Sequence, residues 1–173
     1  IAQTAGIGKG SIYYYFPSKE SILEALIART YERPMEIATT LADQKEISPF
    51  TRMAMIFQAC RNASLEFSKR KDSSSAGIYE GAYIHQMFLN HVINCLKPTL
   101  AEIIRQGIQL GEITFDDPSS LAEIVLIVLT VKLDNTIAHS DQQDVEAVIR
   151  ALVSLLEKGT ENPVGSLNFL MAF

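Results

Sequence analysis

The sequence predicts an all-α fold, and three observations support that prediction. Apolar residues recur three or four positions apart in successive segments, as on the buried face of a helix. No segment shows the alternation of apolar and polar residues that is typical of a half-buried strand, and no internal repeat is visible. Residues 1–23 have the outline of a helix-turn-helix, in which Gly6 is placed for a positive-φ turn between two short helices.

The first long helix is predicted to begin after Ser18. Serine is a favoured N-cap residue, Glu20 complements the helix dipole in the first turn, and apolar residues then follow at helical spacing. Pro34 interrupts this pattern, because proline removes one helical hydrogen bond and clashes with the preceding turn. We therefore expect a kink or a break at Pro34.

The next helix is predicted to begin at Pro49. Ser48 supplies the N-cap, proline suits the first helical position, and helical spacing continues as far as the basic residues 69–71. These basic residues complement the negative end of the helix dipole. Residues 72–77 are polar and rich in turn-forming types, which predicts a mobile loop.

Helical spacing returns at Ile78. Pro98 predicts another break or kink, and the apolar residues beyond it lead to Gly111, which is expected as the C-cap. The sequence therefore predicts that this region ends in a turn just after Gly111.

Two helices are predicted near the carboxyl terminus. Pro118 opens the first, which is apolar nearly all round over residues 124–129 and so has to be covered on both sides. Ser140 and Gln143 form a capping-box pattern at the start of the second, which runs to Gly159. Such a pair makes an antiparallel hairpin whose outer face is suited to dimerisation as half of a four-helix bundle.

Composition narrows the class of protein. A net charge of -5 argues against a chain coated in basic residues for general nucleic-acid binding, although it allows a local basic site. The most apolar run, residues 124–131, is shorter than the roughly 20 residues that span a bilayer. Cys60 and Cys95 lie far apart in a chain without a recognisable secretory signal, which favours reduced thiols. We therefore expect a soluble, cytoplasmic protein that is not a membrane protein.

The second short helix has an outward face that requires an explanation. Ile12 and Phe16 are four residues apart and face the preceding helix, which turns Tyr14 and Tyr15 mostly outward. Tyrosine combines a rigid apolar ring with a hydrogen-bonding tip, so the ring packs against sugars and thymine methyl groups while the hydroxyl meets a phosphate. This face is suited to DNA.

The same stretch resembles the helix-turn-helix signature of the TetR/AcrR family of bacterial transcriptional repressors. The resemblance rests on residue types at fixed offsets, namely Ile1, Ala2, Ala5, Gly6, Gly10, Ser11, Ile12, Tyr13, Phe16, Ser18, Lys19, Glu20, Ile22 and Leu23. It covers the amino-terminal part directly, and the remainder agrees in length and in its all-helical pattern. Relative to the family, the sequence starts within the second helix of the DNA-binding domain, so the family's first helix is missing.

The resemblance implies two domains and a function. Residues 1–33 correspond to a partial helix-turn-helix DNA-binding domain and the start of a connecting helix, and residues 34–173 to a helical ligand-binding and dimerisation domain. The implied protein is a homodimeric, ligand-responsive transcriptional regulator, a repressor released from its operator by a small-molecule effector. Its recognition helices would lie in successive major grooves about 34–36 Å apart. Pro34 is then a candidate hinge, and the alternative is that it ends one helix and begins another.

Positions in the family motif give the expected contacts with double-stranded operator DNA, namely Lys9, Gly10, Ser11, Tyr13, Tyr14, Tyr15 and Lys19. The residue chemistry agrees for most of them. The two lysines are cations that meet phosphates, and the small residues Gly10 and Ser11 allow a close approach of the helix. In an alternative arrangement, Tyr13 packs inside the helix-turn-helix domain, here called the head. The helix carries no arginine to read guanine, so we expect mainly backbone contacts.

The domain of residues 34–173, here called the body, is expected to supply an apolar cavity and a dimer interface. Candidate ligand-binding residues are Phe57, Cys60, Tyr79, Tyr83, Met87 and Cys95. Candidate dimer residues on the last two helices are Ile124, Ile127, Val128, Val145, Ile149, Leu152 and Leu156. For each candidate ligand residue taken singly, simple packing in the core is the competing interpretation.

Other kinds of site are disfavoured. Lys9 is followed by Gly10 rather than Ser or Thr, and no strand precedes it, so the glycine-rich stretch fits neither a phosphate loop nor a dinucleotide fingerprint. His85 and His91 are six residues apart, which does not match same-face metal ligation. No catalytic set is legible, so we expect a protein without enzymatic activity, metal or cofactor. The alternatives are an all-α enzyme or small-molecule carrier that uses the body cavity, and a dimeric interaction protein.

Overall fold

The computed structural model describes residues 6, 8–70, 78–133 and 141–171. Its α-helices are α1 (Lys9–Tyr15), α2 (Lys19–Asp43), α3 (Pro49–Arg70), α4 (Ile78–Gln109), α5 (Pro118–Leu133) and α6 (Gln142–Gly159). A 3-10 helix follows at Asn168–Met171. The described residues contain no strand, so the all-α prediction is confirmed. The predicted loop at 72–77 lies outside the described residues.

The starts of α2 and α3 that were predicted from capping residues are confirmed. Ser18 and Ser21 form a reciprocal capping box at the start of α2, in which the Ser18 Oγ accepts the Ser21 N–H at 3.1 Å. The Ser48 Oγ accepts the Thr51 N–H at 3.2 Å, directly before α3. Local hydrogen-bonding chemistry therefore sets where these helices begin.

Gly111 ends α4 as predicted. Its φ is +74°, its N–H donates to the Ile108 carbonyl at 3.0 Å, and the Glu112 N–H donates to the Gly107 carbonyl at 2.9 Å. These two bonds make the Schellman arrangement, which requires a residue in the left-handed region at this position. The α6 N-cap is Asp141, one residue after the Ser140 that the sequence suggested, and Ser140 lies outside the described residues.

Of the predicted kink or break at Pro34 and Pro98, the break is excluded, because α2 and α4 each continue through their proline as one element. Pro34 is buried, and its neighbours Tyr31 and Ala38 on the same helix belong to the core. Packing of this face holds the helix together although proline removes one backbone hydrogen bond. A change of helix at Pro34 is therefore excluded.

The helices of the body share one apolar core. Helix α4 packs against α2, α3 and α5, and its residues Leu96, Leu100 and Ile103 are almost fully buried. Among the described elements, α6 contacts α5 and the 3-10 helix, and the 3-10 helix also contacts α3. The last residues of the described chain thus fill part of the core. None of the described helices combines the length and the apolar character that crossing a bilayer requires.

A buried polar cluster ties the end of α2 to the body. Arg52, at the start of α3, has no exposed surface, and its Nη1 donates to the Ala42 carbonyl at 3.2 Å and to the Gln106 Oε1 at 2.6 Å. The Gln106 Nε2 in turn donates to the Ala42 carbonyl at 3.2 Å and to the Glu102 Oε1 at 3.0 Å. The negative end of the α2 dipole lies at these carbonyls, which favours the buried cation.

Candidate nucleic-acid interface and body cavity

Helix α1 presents a small, mostly exposed surface. The helix begins after Gly8 without a side-chain cap, and the Phe16 N–H closes its last turn by donating to the Ile12 carbonyl at 2.8 Å. Ile12 and Phe16 are partly buried, whereas Gly10 and Ser11 are exposed. The inward and outward faces therefore follow the four-residue spacing that the sequence predicted. The side chain of Lys9 lies outside the described part of the chain.

The tyrosines of α1 point largely into solvent. Tyr14 is 83% exposed and Tyr15 is 74% exposed, and their rings meet edge to face with centroids 5.1 Å apart. Tyr13 is about half exposed. Large aromatic rings left in water lose the free energy that their burial would contribute. Two adjacent rings that hold each other in an edge-to-face pair form a rigid surface that can lie against a nucleic-acid backbone.

The start of α2 adds charge beside this surface. Lys19 is exposed at the first helical position, where the positive end of the helix dipole opposes a cation. Glu20 follows, and hydrogen bonds from its own backbone and from Ser18 lower the pKa of its carboxyl below the usual range. The dipole explains the glutamate but not the lysine. An anionic partner such as a phosphate would explain Lys19.

The body contains an apolar cavity of about 50 Å³. Its lining comes from α3, α4, α5, α6 and the residues that follow α6, namely Phe50, Met53, Phe57, Ile104, Ile113, Leu121, Val125, Leu156, Thr160, Asn162, Leu167, Phe169 and Leu170. Phe57 is the predicted ligand residue that lines it. The polar groups at its edge are the side chains of Thr160 and Asn162, and the Thr160 Oγ1 lies 2.6 Å from the Asn162 Oδ1.

The other predicted ligand residues lie elsewhere. Cys60 is partly buried against the core, and burial raises the pKa of its thiol to about 12. The Cys95 Sγ lies 3.9 Å from the ring nitrogens of His91, and desolvation lowers the pKa of that imidazole. Met87 packs at the edge of the core, whereas Tyr83 is exposed. The side chain of Tyr79 lies outside the described residues.

Residues 160–171 contribute five of the twelve lining residues that sequence reasoning did not assign to the cavity. The sequence carried a weak signal for them, since Leu167, Phe169 and Leu170 are apolar and follow the turn-forming Pro163 and Gly165. A segment this short shows no clear periodicity, so it could not be assigned to the core in advance.

The predicted dimer residues divide into two groups. Ile124 and Ile127 on α5 are exposed, and Val128, Val145 and Leu156 are partly buried. Ile149 and Leu152 are buried within the protomer itself. The exposed members form an apolar surface on α5, to which Val131 also contributes. The assignment of these residues to an interface stays a prediction.

No cluster of histidine, cysteine or carboxylate side chains suited to a metal ion occurs among the residues that the structure describes. His91 contacts Cys95, but no third side chain of a type that binds metal joins this pair within the described range. The candidate sites in the described residues are therefore the exposed surface of α1 with Lys19 and the apolar cavity of the body.

The family model for bacterial regulatory proteins of the tetR family matches residues 1–26. This range contains α1 and the first turns of α2, together with every residue predicted to contact DNA. No curated protein matches the chain. Residues 1–26 therefore resemble the helix-turn-helix of the tetR family of bacterial regulatory proteins, and the all-α fold of the described residues is consistent with a DNA-binding regulator of this kind.

Proposed function

We propose that this DNA-binding transcriptional regulator is a homodimeric repressor that a small molecule releases from its operator. The observation that carries the proposal is the unbroken course of α2. This helix begins inside the segment that matches the family and ends at the buried cluster around Arg52. A change in the packing of the body therefore has a rigid connection to the head.

Contacts with operator DNA are assigned to the exposed face of α1 and to Lys19. Tyr14 and Tyr15 offer rings and hydroxyl groups to the DNA backbone, and the small, exposed residues Gly10 and Ser11 allow a close approach of α1. Lys19 is the first residue of α2, three residues after Phe16, which is the C-cap of α1. Binding through such contacts is sensitive to salt, because each neutralised phosphate releases counterions.

The effector site is assigned to the body cavity. Its lining is apolar apart from Thr160 and Asn162, which suits a small apolar molecule. For that molecule to release DNA, it has to bind the DNA-incompetent form more tightly than the DNA-competent form. The proposal gives the chain no catalytic role. Turnover of a bound compound would favour the alternative, an enzyme or carrier that uses the same cavity.

Dimerisation is assigned to the outer face of α5 and α6. The exposed side chains of Ile124, Ile127 and Val131 form an apolar surface that a second copy would cover, as expected for a helical hairpin that completes a four-helix bundle. Since its partner is operator DNA, the protein is assigned to the cytoplasm.

The test is binding of the full-length protein to DNA from its own promoter region, measured at several salt concentrations beside unrelated DNA of the same length. Specific binding is expected to exceed non-specific binding by about 10³-fold or more, with a steep fall in affinity as salt rises. Equal affinity for the two DNAs across all upstream fragments would overturn the proposal.

A further inference from the structure

The segment 163–171, here called the strap, forms one wall of the cavity. Leu167, Phe169 and Leu170 of the strap line the cavity, and Leu167 and Leu170 are buried. The ring of Phe169 lies 6.4 Å from the ring of Phe57, centroid to centroid, at an interplanar angle of 31°. An aromatic side chain from the strap thus rests on the α3 wall of the proposed effector site.

A single carboxylate anchors the strap. The Glu157 Oε1 accepts the Gly165 N–H at 2.8 Å and the Leu167 N–H at 3.1 Å, and the Glu157 side chain is only 5% exposed. Gly165 has a φ of +95°, which allows the turn that brings its N–H back to α6. Glu157 does not line the cavity. The anchor on α6 and the strap side chains that line the cavity are therefore different residues, and each can be changed alone.

The cavity is too small in this form for a typical small-molecule ligand. Sites for small molecules usually measure roughly 300–1,000 Å³, whereas the space here is about 50 Å³. An effector can enter only if part of the wall moves. Leu167 and Leu170 of the strap belong to the same core as Ile104 and Leu121 of the helical walls, but the strap itself is a short segment of turn and 3-10 helix. Such segments open locally at lower free-energy cost than core helices do.

We infer that the strap is an internal occupant of the effector site, and that the effector displaces it. Phe169 and Leu170 fill the space that the effector takes, so the effector is a small apolar molecule about the size of an aromatic ring. Because only the strap-open form binds, the apparent affinity equals the intrinsic affinity reduced by the open fraction. This inference rests on the proposed function, since it assigns the regulation of the same site.

Displacement of the strap has a direct route to the rest of the body. The 3-10 helix contacts both α3 and α6, and α6 has α5 as its other neighbour among the described elements. When the strap leaves, α6 loses one of these two supports. The proposed dimer surface on α5 and α6 then senses occupancy of the cavity.

The test measures binding of toluene, which has the ring and methyl carbon of the Phe169 side chain, to the wild-type protein and to Glu157→Ala. Loss of the anchor raises the open fraction, so Glu157→Ala is expected to bind toluene at least fivefold more tightly than wild type. Glu161→Ala removes an exposed carboxylate from the same region and is expected to bind toluene like wild type. Equal affinities for wild type and Glu157→Ala, or binding to neither, would overturn the inference.

Hydrogen exchange in the wild-type protein provides a second measurement that needs no variant to fold. Toluene at saturation is expected to increase exchange at the Gly165 and Leu167 amides, because both lose their Glu157 acceptor when the strap leaves. Continued protection of these amides with toluene bound would contradict displacement.

Release of operator DNA by toluene separates this inference from the proposed function. Exposed strap amides with DNA still bound would count against the ligand-responsive repressor and leave strap displacement standing. Protected amides with DNA released would count against the strap and leave the repressor standing.

Discussion

At the scale of single residues, Tyr14 and Lys19 have environments that the fold itself does not explain. The Tyr14 ring is almost fully in water, and Lys19 stands at the unfavourable end of the α2 dipole. Their candidate role in DNA binding was predictable from the sequence, because both occupy fixed positions in the family's helix-turn-helix motif. Their exposure follows from the spacing of Ile12 and Phe16 on the opposite face.

Replacement of Tyr14 by alanine is expected to weaken operator binding by about 1–3 kcal/mol, or roughly 5- to 150-fold, because a ring and a hydroxyl contact are lost. Titration of labelled operator with the full-length variant measures this loss. Tyr83→Ala removes an exposed tyrosine from α4 and serves as the matched control. An unchanged operator affinity in Tyr14→Ala would contradict the DNA-contact role of this residue.

Replacement of Lys19 by alanine is expected to weaken binding to all DNA sequences and to reduce the slope of log K against log salt by about one. The physical reason is the loss of one phosphate contact. Lys158→Ala, which removes an exposed lysine on α6, should keep the wild-type slope. A Lys19→Ala protein with an unaltered slope would show that this cation meets no phosphate.

The thiol of Cys60 is expected to be chemically inert in the folded protein. Burial raises its pKa to about 12 from an ordinary value of 9.0, which lowers the thiolate fraction at neutral pH by about a thousandfold. In a Cys95→Ser variant, a colorimetric disulfide reagent should therefore react far more slowly with native protein than with protein in concentrated guanidinium. Similar rates in the two states would mean that the thiol is accessible and ionisable in the fold.

At the scale of elements, helix ends were more predictable than helix interiors. Gly111 was assigned correctly because the chemistry of a C-cap is local, whereas Pro34 was misjudged because its outcome depends on packing. The core contacts of Tyr31 and Ala38 on either side of Pro34 come from distant parts of the chain. No pattern within α2 reveals those partners.

Replacement of Gly111 by alanine is expected to lower the free energy of unfolding by about 1–2 kcal/mol, because an L-residue is strained at a φ of +74°. The added methyl group itself meets no atom within 4 Å, so strain is the cause. Gly159→Ala is the control, since it also meets no atom and its φ is not positive. Denaturant unfolding measures both variants, and equal stabilities would contradict the strain argument.

At the scale of the whole molecule, the core and the candidate DNA surface followed from the sequence, but the cavity did not. One of the candidate ligand residues, Phe57, lines it, because α3 faces the core with a predictable periodicity. The opposite wall comes from the strap, which reaches the site through a turn at Gly165 and two bonds to Glu157. Long-range contacts of this kind leave little trace in a single sequence.

The cluster around Arg52 is expected to hold the end of α2 to the body. Replacement of Arg52 by methionine should lower the free energy of unfolding by about 1.5–3 kcal/mol, because the Leu41 carbonyl loses its bond to a charged donor and Ala42 loses one of two. It should also speed hydrogen exchange in the last turn of α2. Arg105→Met, which removes an exposed arginine paired with Glu102, should change stability by less than about 1 kcal/mol. Equal effects of the two replacements would argue against the cluster.

The continuity of α2 also has a mechanical meaning. Twenty-five helical residues measure about 37 Å at 1.5 Å each, and the Arg52 cluster holds the carboxyl-terminal end of the helix to the body. A tilt of about 5° at that end would carry Lys19 sideways by about 3 Å, computed from the same rise per residue. A displacement of this size is comparable to the length of a hydrogen bond. Repacking of the body that tilted α2 would therefore be magnified at Lys19, the residue proposed to meet a phosphate.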